Sequence, residues 1–99
     1  MKRVLIRYRV KADRAAENEA FVRGVFEQLE QAALPGLRYS SLKLEDGVSF
    51  VHIMEAEAGA TLTGLAAFKS FSELISDRCD DQPTAMAFTP VGNYRLLAS

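Results

Sequence analysis

Four stretches of the chain have the composition or the alternating hydrophobic pattern of β-strands, in which successive side chains point to opposite faces. The first, residues 2–11, has one regular hydrophobic row, formed by Val4, Ile6, Tyr8 and Val10. Residues 37–44 and 48–57 follow, joined by the hairpin signal Glu45-Asp46-Gly47. The last predicted strand is residues 91–97, directly after Thr89-Pro90.

Two stretches have the spacing of amphipathic helices instead. Asp13 is the predicted cap of the first helix, which ends before Pro35-Gly36. Its hydrophobic positions are Phe21, Val22, Val25, Phe26, Leu29, Ala32 and Ala33. The second helix is predicted from about Leu65 to Cys79, and Asp80-Asp81-Gln82-Pro83 is expected to end it.

The order βαββαβ predicts an α+β, ferredoxin-like fold, with a four-stranded antiparallel sheet and both helices on one face. In the third strand, Val51 and Ile53 form the purely hydrophobic pair, so they are expected to pack beneath the helices. Strand alternation then assigns four side chains to the helix-free face, namely Leu5, Phe50, His52 and Met54. A hydrophobic helix-free face is typical of an interaction surface, and a homodimer is therefore expected.

Composition narrows the class of protein. The 99 residues are 48% hydrophobic and 25% charged, which fits one globular domain over residues 1–99. A net charge of -1 argues against nucleic-acid binding, and no hydrophobic run is long enough to cross a membrane. Cys79 is the only cysteine, and the first residues lack a signal-peptide pattern, so a cytoplasmic protein is expected. Neither a metal site nor a reactive thiol is predicted around Asp77, Cys79, Asp80 and Asp81.

The chain resembles the dimeric α/β-barrel superfamily, and within it the antibiotic-biosynthesis-monooxygenase-like group, over most of residues 1–97. The segments that carry the resemblance are residues 4–11, 13–19, 50–55, 65–71 and 91–96. The resemblance implies two protomers packed sheet to sheet, a pocket for a small molecule and no cofactor. Haem-degrading members rely on a tryptophan and a helix-borne histidine. This sequence has no tryptophan, and its only histidine, His52, lies in a predicted strand.

Four residues are candidates for a functional site. His52 is the predicted catalytic residue, because an imidazole in a partly dry pocket can accept a proton near neutral pH. Arg7, Tyr39 and Arg95 are the predicted ligand-binding residues, since they can orient or stabilise an anionic group. Each has a structural alternative: His52 as a hydrogen-bonded core residue, Tyr39 as packing, and the arginines as solvent-exposed charges.

Two functions are compatible with these candidates. The first is a cofactor-independent oxygenase or isomerase, in which His52 is the base and Arg7 or Arg95 stabilises the substrate anion. The second is a non-catalytic homodimeric module that binds a small ligand or a protein. An open cavity that reaches His52 favours the enzyme, and a space filled by hydrophobic side chains favours the binding module.

Overall fold

The computed structural model describes residues 1–96 and confirms the predicted βαββαβ order. Its elements are β1 (Lys2–Val10), a short 3-10 turn (Ala12–Arg14), α1 (Ala15–Ala32), β2 (Leu37–Lys43), β3 (Ser49–Ala56), α2 (Ala66–Arg78) and β4 (Cys79–Ala87). The sheet has the order β2-β3-β1-β4, and every neighbouring pair is antiparallel. This is the predicted ferredoxin-like arrangement, with β1 and β3 at its centre.

The β2–β3 hairpin is held by Asp46, as its turn residues predict. The carboxylate of Asp46 accepts hydrogen bonds from the backbone N–H groups of Val48, at 3.0 Å, and Ser49, at 2.8 Å. Gly47 has φ of 77°, a left-handed conformation that costs other residues energy. The turn therefore sets the register in which Tyr39 lies opposite Met54 on the neighbouring strand.

Helix α1 ends in a left-handed residue, Ala33, whose N–H bonds the carbonyl of Leu29. Gly36, with φ of 78°, then turns the chain into β2. A Cβ at Gly36 would lie 2.7 Å from a carboxylate oxygen of Glu57, but that flexible side chain can move, so the left-handed φ is what favours glycine here. The connection between α1 and β2 is thus short and tightly turned.

The hydrophobic core lies between the sheet and the two helices. Eight buried side chains form it: Tyr8, Val10, Val22, Val25, Phe50, Leu62, Phe71 and Cys79. The ring of Tyr8 stacks on Phe50 with centroids 5.5 Å apart and meets Phe71 of α2 edge-on at 6.2 Å. Burial of one such aromatic or aliphatic side chain contributes about 1.5–3 kcal/mol, so these contacts account for much of the packing energy.

The predicted last strand was placed too late in the chain. Helix α2 ends at Arg78 and β4 begins at Cys79 without a loop, so Asp80-Asp81-Gln82-Pro83 lies in the strand. Residues 91–96 form neither helix nor strand, and Leu97 lies outside the described residues. β4 occupies an edge of the sheet, where proline and acidic side chains are tolerated, and this hides the usual strand pattern.

The predicted faces of β3 were also reversed. Tyr8 and Ile6 of β1 face the helices, and they pair across the sheet with Phe50 and His52. Directly opposite residues share a face, so Phe50, His52 and Met54 lie beneath the helices. Val51 and Ile53 instead face away, with Leu5 as predicted. The helix-free face carries the hydrophobic side chains of Leu5, Leu42, Val51, Ile53 and Met86.

Candidate functional site

Five polar side chains form one continuous hydrogen-bonded chain through the layer between sheet and helices. Nε of Arg78 donates to Oδ1 of Asn18 at 3.1 Å, and Nδ2 of Asn18 donates to the hydroxyl of Tyr8 at 2.9 Å. The Tyr8 hydroxyl lies 2.8 Å from Nε2 of His52, and Nδ1 of His52 lies 2.5 Å from the hydroxyl of Tyr39. The chain joins α2, α1, β1, β3 and β2 in that order.

Arg78 is the buried end of this chain, with no exposed surface. Its guanidinium lies 4.4 Å from the ring centre of Phe21 and 5.3 Å from that of Phe71. Nη2 donates to the carbonyl oxygen of Phe71 at 3.1 Å, while Nη1 has no hydrogen-bond acceptor among residues 1–96. Burial lowers the pKa of Arg78, and the two ring faces compensate part of the lost hydration.

His52 occupies the middle of the chain and is only 2% exposed. Burial lowers the pKa of its imidazole to about 4. At neutral pH the ring is therefore uncharged, with one nitrogen that donates a hydrogen bond and one that accepts. Its lower pKa makes it a weak base, and its side chain does not line the cleft between α1 and β2.

Tyr39 and Ser41 form the outer end of the chain on β2. Both hydroxyls lie against Nδ1 of His52, at 2.5 Å for Tyr39 and 3.0 Å for Ser41. Burial raises the pKa of Tyr39 to about 12, and a hydrogen bond from Ser41 opposes the shift. The Tyr39 ring stacks on Phe26 of α1 with centroids 5.3 Å apart. At neutral pH this end of the chain presents uncharged hydroxyl groups.

A cleft of about 640 Å³ opens between α1 and β2, and both Tyr39 and Ser41 line it. Its volume falls within the range of small-molecule sites. Phe26, Phe50 and Val22 supply its hydrophobic wall. His52 therefore lies one hydrogen bond behind the wall of an open cleft.

Charged side chains form the rim of this cleft. Glu19 of α1 binds Lys43 of β2 through Oε1 at 2.7 Å and Arg23 through Oε2 at 2.7 Å. The hydrogen bonds from Lys43 and Arg23 lower the pKa of Glu19 to about 2. Glu27 and Glu30 also line the cleft, so the rim carries three carboxylates and two cations.

The structure brings two of the four predicted site residues together. Tyr39 lines the cleft, and His52 lies directly behind it, on the opposite sheet face from the one predicted. Arg7 is exposed on the helix-free face, away from the cleft. Arg95 is exposed in the segment after β4, where its guanidinium lies 5.3 Å from the ring centre of Tyr94. Neither arginine is brought to this cleft.

Asn18 and Arg78 were missed because polar residues on helices are usually assigned to solvent. Asn18 precedes Val22 by four residues and Val25 by seven, which places it in the hydrophobic stripe of α1. Arg78 follows Phe71 by seven residues, in phase with the buried side of α2. This helical phase was the available signal. The role of the Tyr8 hydroxyl was hidden too, since the hydrophobic row of β1 indicated only packing.

Two classes of feature are not found in the described part of the chain. Within residues 1–96, no three histidine, cysteine, aspartate or glutamate side chains come close enough to hold a metal ion. No helix there is both long and hydrophobic enough to span a membrane.

Solved structures resemble this fold over nearly its whole length, whereas no protein-family model and no curated protein matches the sequence. A candidate antibiotic biosynthesis monooxygenase from Nitrosomonas europaea superposes with a TM-score of 0.76 at 18% identity, covering 93% of this chain and 100% of its own. The chain has the fold of antibiotic-biosynthesis-monooxygenase-like proteins. The resemblance predicted from the sequence is thereby confirmed at the level of the fold.

Two further solved structures share this fold. Rv0793 from Mycobacterium tuberculosis has a TM-score of 0.74 at 14% identity, covering 93% of this chain and 96% of its own. A mutant of SnoaB, a cofactor-independent oxygenase from Streptomyces nogalater, has a TM-score of 0.65 at 19% identity, covering 99% and 97%. At such identities the similarity establishes a common fold and leaves the chemistry to the residues of each cleft.

Proposed function

We propose that this protein binds a small aromatic molecule in the cleft between α1 and β2 and oxygenates it without a cofactor. The observation that carries the proposal is the pair of hydroxyls, on Tyr39 and Ser41, that line the cleft and are both hydrogen-bonded to His52. The half-buried ring of Phe26 offers a hydrophobic surface to an aromatic ring. The fold shared with SnoaB supports the proposed class of reaction.

The proposed reaction converts a phenol and O₂ into a quinone and water. The phenol loses its proton, and the electron-rich ring carbon opposite its oxygen reacts with O₂. The new C–O bond gives a peroxide, which takes up a proton. Loss of the hydrogen on that carbon as a proton then breaks the O–O bond, so one oxygen atom stays as a carbonyl and the other leaves as hydroxide, which is protonated to water. The substrate supplies all four electrons, so neither an external reductant nor a cofactor is consumed. The protein has to bind the ring, exclude bulk water and stabilise the negative charge on the phenolate oxygen.

Within this proposal Tyr39 stabilises the substrate anion, and His52 acts through Tyr39 without touching the substrate. This replaces the predicted role of His52 as the direct base, because its imidazole lies behind the wall and its pKa is lowered to about 4. The proton acceptors that line the cleft are carboxylates. Glu19 is bound to two cations, so we assign this role to Glu27 or Glu30.

The test uses 1-naphthol as the probe, with an oxygen electrode and the absorbance of 1,4-naphthoquinone as readouts. We expect one O₂ consumed for each quinone formed, and a loss of about 100-fold in rate for Tyr39→Phe, since one charge-stabilising donor contributes about that much. Tyr94→Phe is the matched control, because it removes the same hydroxyl from an exposed ring elsewhere. Binding of 1-naphthol without oxygen consumption would support the alternative, a non-catalytic ligand-binding module.

We also propose that the protein is a homodimer that joins two helix-free sheet faces. In one protomer this face leaves Leu5, Leu42, Val51, Ile53 and Met86 with no helix over them, and Met86 is 74% exposed. Covering such side chains gains about 25 cal/mol for each Å². Sedimentation equilibrium should show a dimer at micromolar concentration, and a monomer throughout that range would contradict the proposal. A cytoplasmic location is proposed as well, supported by the single unpaired cysteine.

A further inference from the structure

In the hydrogen-bonded chain from Arg78 to Tyr39, the buried end, Arg78, determines which group donates and which accepts in every hydrogen bond. Arginine can only donate hydrogen bonds, so the atom of Asn18 that faces Nε of Arg78 must be the carbonyl oxygen. The amide nitrogen of Asn18 is then left to donate to the hydroxyl oxygen of Tyr8. The orientation of this buried amide is therefore fixed by the guanidinium.

The tautomer of His52 follows in turn. Tyr8 already accepts a hydrogen bond from Asn18, and the acceptor within reach of its own hydrogen is Nε2 of His52, at 2.8 Å. If Nε2 carried the hydrogen instead, the buried Tyr8 hydroxyl would have two donors aimed at it and no acceptor for its own hydrogen, and an unsatisfied buried donor is unfavourable. The ring is neutral, so the hydrogen resides on Nδ1.

The last link decides what the cleft presents to a ligand. Nδ1–H of His52 donates toward the hydroxyls of Tyr39 and Ser41, so neither hydroxyl can give its hydrogen to His52. One of the two hydroxyls can donate to the other. At least one of these two hydroxyl hydrogens then has no acceptor among the side chains of the hydrogen-bonded chain, and it lies at the wall of the cleft.

We infer that Arg78 makes the Tyr39–Ser41 pair a hydrogen-bond donor toward the cleft, so that the ligand must present an oxygen acceptor there, such as a phenolate, enolate or carbonyl oxygen. This inference rests on the proposed function, and it adds that the cleft recognises a hydrogen-bond acceptor on the ligand. Asn18, Tyr8 and His52 are positioning residues, since they act on the ligand only through the two hydroxyls.

The first test needs no ligand and no variant. The ¹⁵N resonances of the His52 ring in the full-length protein distinguish a protonated nitrogen from an unprotonated one. His52 is the only histidine, so the assignment is unambiguous. We expect Nδ1 to carry the hydrogen and Nε2 to be unprotonated at neutral pH. The opposite tautomer would overturn the inference.

The second test uses one isosteric substitution to reverse the donor and acceptor roles along the hydrogen-bonded chain. In Asn18→Asp the introduced carboxylate stays ionised beside Arg78 and accepts from Tyr8, which then must accept from Nε2–H of His52. The ring hydrogen should move to Nε2, and Nδ1 should become an acceptor for Tyr39 or Ser41. Gln28→Glu is the matched control, because it makes the same exchange on α1 at a side chain that bonds the backbone of Ala67 instead. An unchanged tautomer in Asn18→Asp would also overturn the inference.

The third test uses 4-nitrophenolate as the probe, with binding followed by its absorbance. Asn18→Asp should weaken binding about tenfold, the effect of losing one net hydrogen bond, and Gln28→Glu should leave it unchanged. Equal affinity in wild type and Asn18→Asp would contradict the inferred donor. If wild type does not bind the probe or 1-naphthol, the proposed function fails, whereas the ¹⁵N tautomers still decide the direction of the chain.

Discussion

Around His52, the two faces of the sheet differ in a way that reverses the usual relation between burial and polarity. At the centre of β3, the face beneath the helices carries His52, hydrogen-bonded on both ring nitrogens. The face without helices carries Val51 and Ile53, which have no polar atoms in their side chains. A polar residue can be buried when each of its groups has a partner, and a hydrophobic residue can be left uncovered within one protomer when a second copy is to cover it.

The largest expected effect comes from a comparison of two substitutions that introduce the same negative charge, one on each side of the sheet. Val25→Asp, beneath the sheet at a position 2% exposed, should abolish folding, because an unpaired buried carboxylate costs more than about 4 kcal/mol. Ile53→Asp should leave each protomer folded and dissociate the dimer. Circular dichroism and sedimentation would measure the two outcomes. A folded dimer of Ile53→Asp would remove the proposed role of the helix-free face.

The next effect concerns the buried end of the polar chain. Arg78→Ala should lower the free energy of unfolding by about 3 kcal/mol, since it leaves Oδ1 of Asn18 and the carbonyl of Phe71 without donors and opens a void between two rings. Arg78→Met restores most of the volume and removes the buried charge, so it should lose less. Urea denaturation provides both numbers, and equal stability of Arg78→Ala and wild type would contradict the importance of the chain.

As the pH falls, His52 on the covered face should lower the free energy of unfolding before the surface carboxylates are protonated. The pKa of His52 is lowered from 6.5 to about 4, so between these values the unfolded chain binds a proton that the folded chain does not. Stability is therefore full above pH 6.5 and falls as the pH drops toward 4. The expected loss from pH 7 to pH 5 is about 2 kcal/mol. His52→Gln should show a flatter profile in the same denaturation series, and parallel profiles would count against a buried neutral imidazole.

The smallest expected effect is at the rim of the cleft. Glu19→Gln removes the carboxylate that binds Lys43 and Arg23, but these groups are solvent-exposed and such ion pairs contribute little to stability. We expect a melting temperature equal to that of wild type within error, with Asp46→Asn as a hairpin comparison that does melt earlier. A large drop for Glu19→Gln would mean that the rim, and not the buried chain, holds α1 to β2.

The sequence predicted most of the fold because its elements follow local patterns. The hydrophobic row of β1, the turn at Asp46-Gly47 and the helical spacing of α1 were all confirmed. β4 was misplaced because an edge strand that contains Asp80, Asp81, Gln82 and Pro83 lacks a hydrophobic row. The reversed face of β3 came from the assumption that the more hydrophobic face is the covered one, which fails where a buried imidazole is fully hydrogen-bonded.

The candidate site was less accessible to prediction. Tyr39 and His52 were named as candidates, but the residues that connect them come from different elements. Asn18 and Arg78 are 60 positions apart, and no spacing along the chain indicates that they meet. Arg7 and Arg95 were chosen for their charge, whereas the cations that line the described cleft are Arg23 of α1 and Lys43 of β2.

Helix α2 and strand β4 follow each other without a loop, and this limits how far the helix can move relative to the sheet. Arg78 is the last residue of the helix and Cys79 the first of the strand, so α2 cannot shift without pulling an edge of the sheet. The connection beside the cleft is different, because four residues, 33–36, separate α1 from β2, and the ion pair between these elements, Lys43–Glu19, is exposed. Adjustment of the cleft to ligands of different size therefore belongs to α1 and β2. Amide hydrogen exchange should be slow at residues 78–79 and faster along residues 33–36.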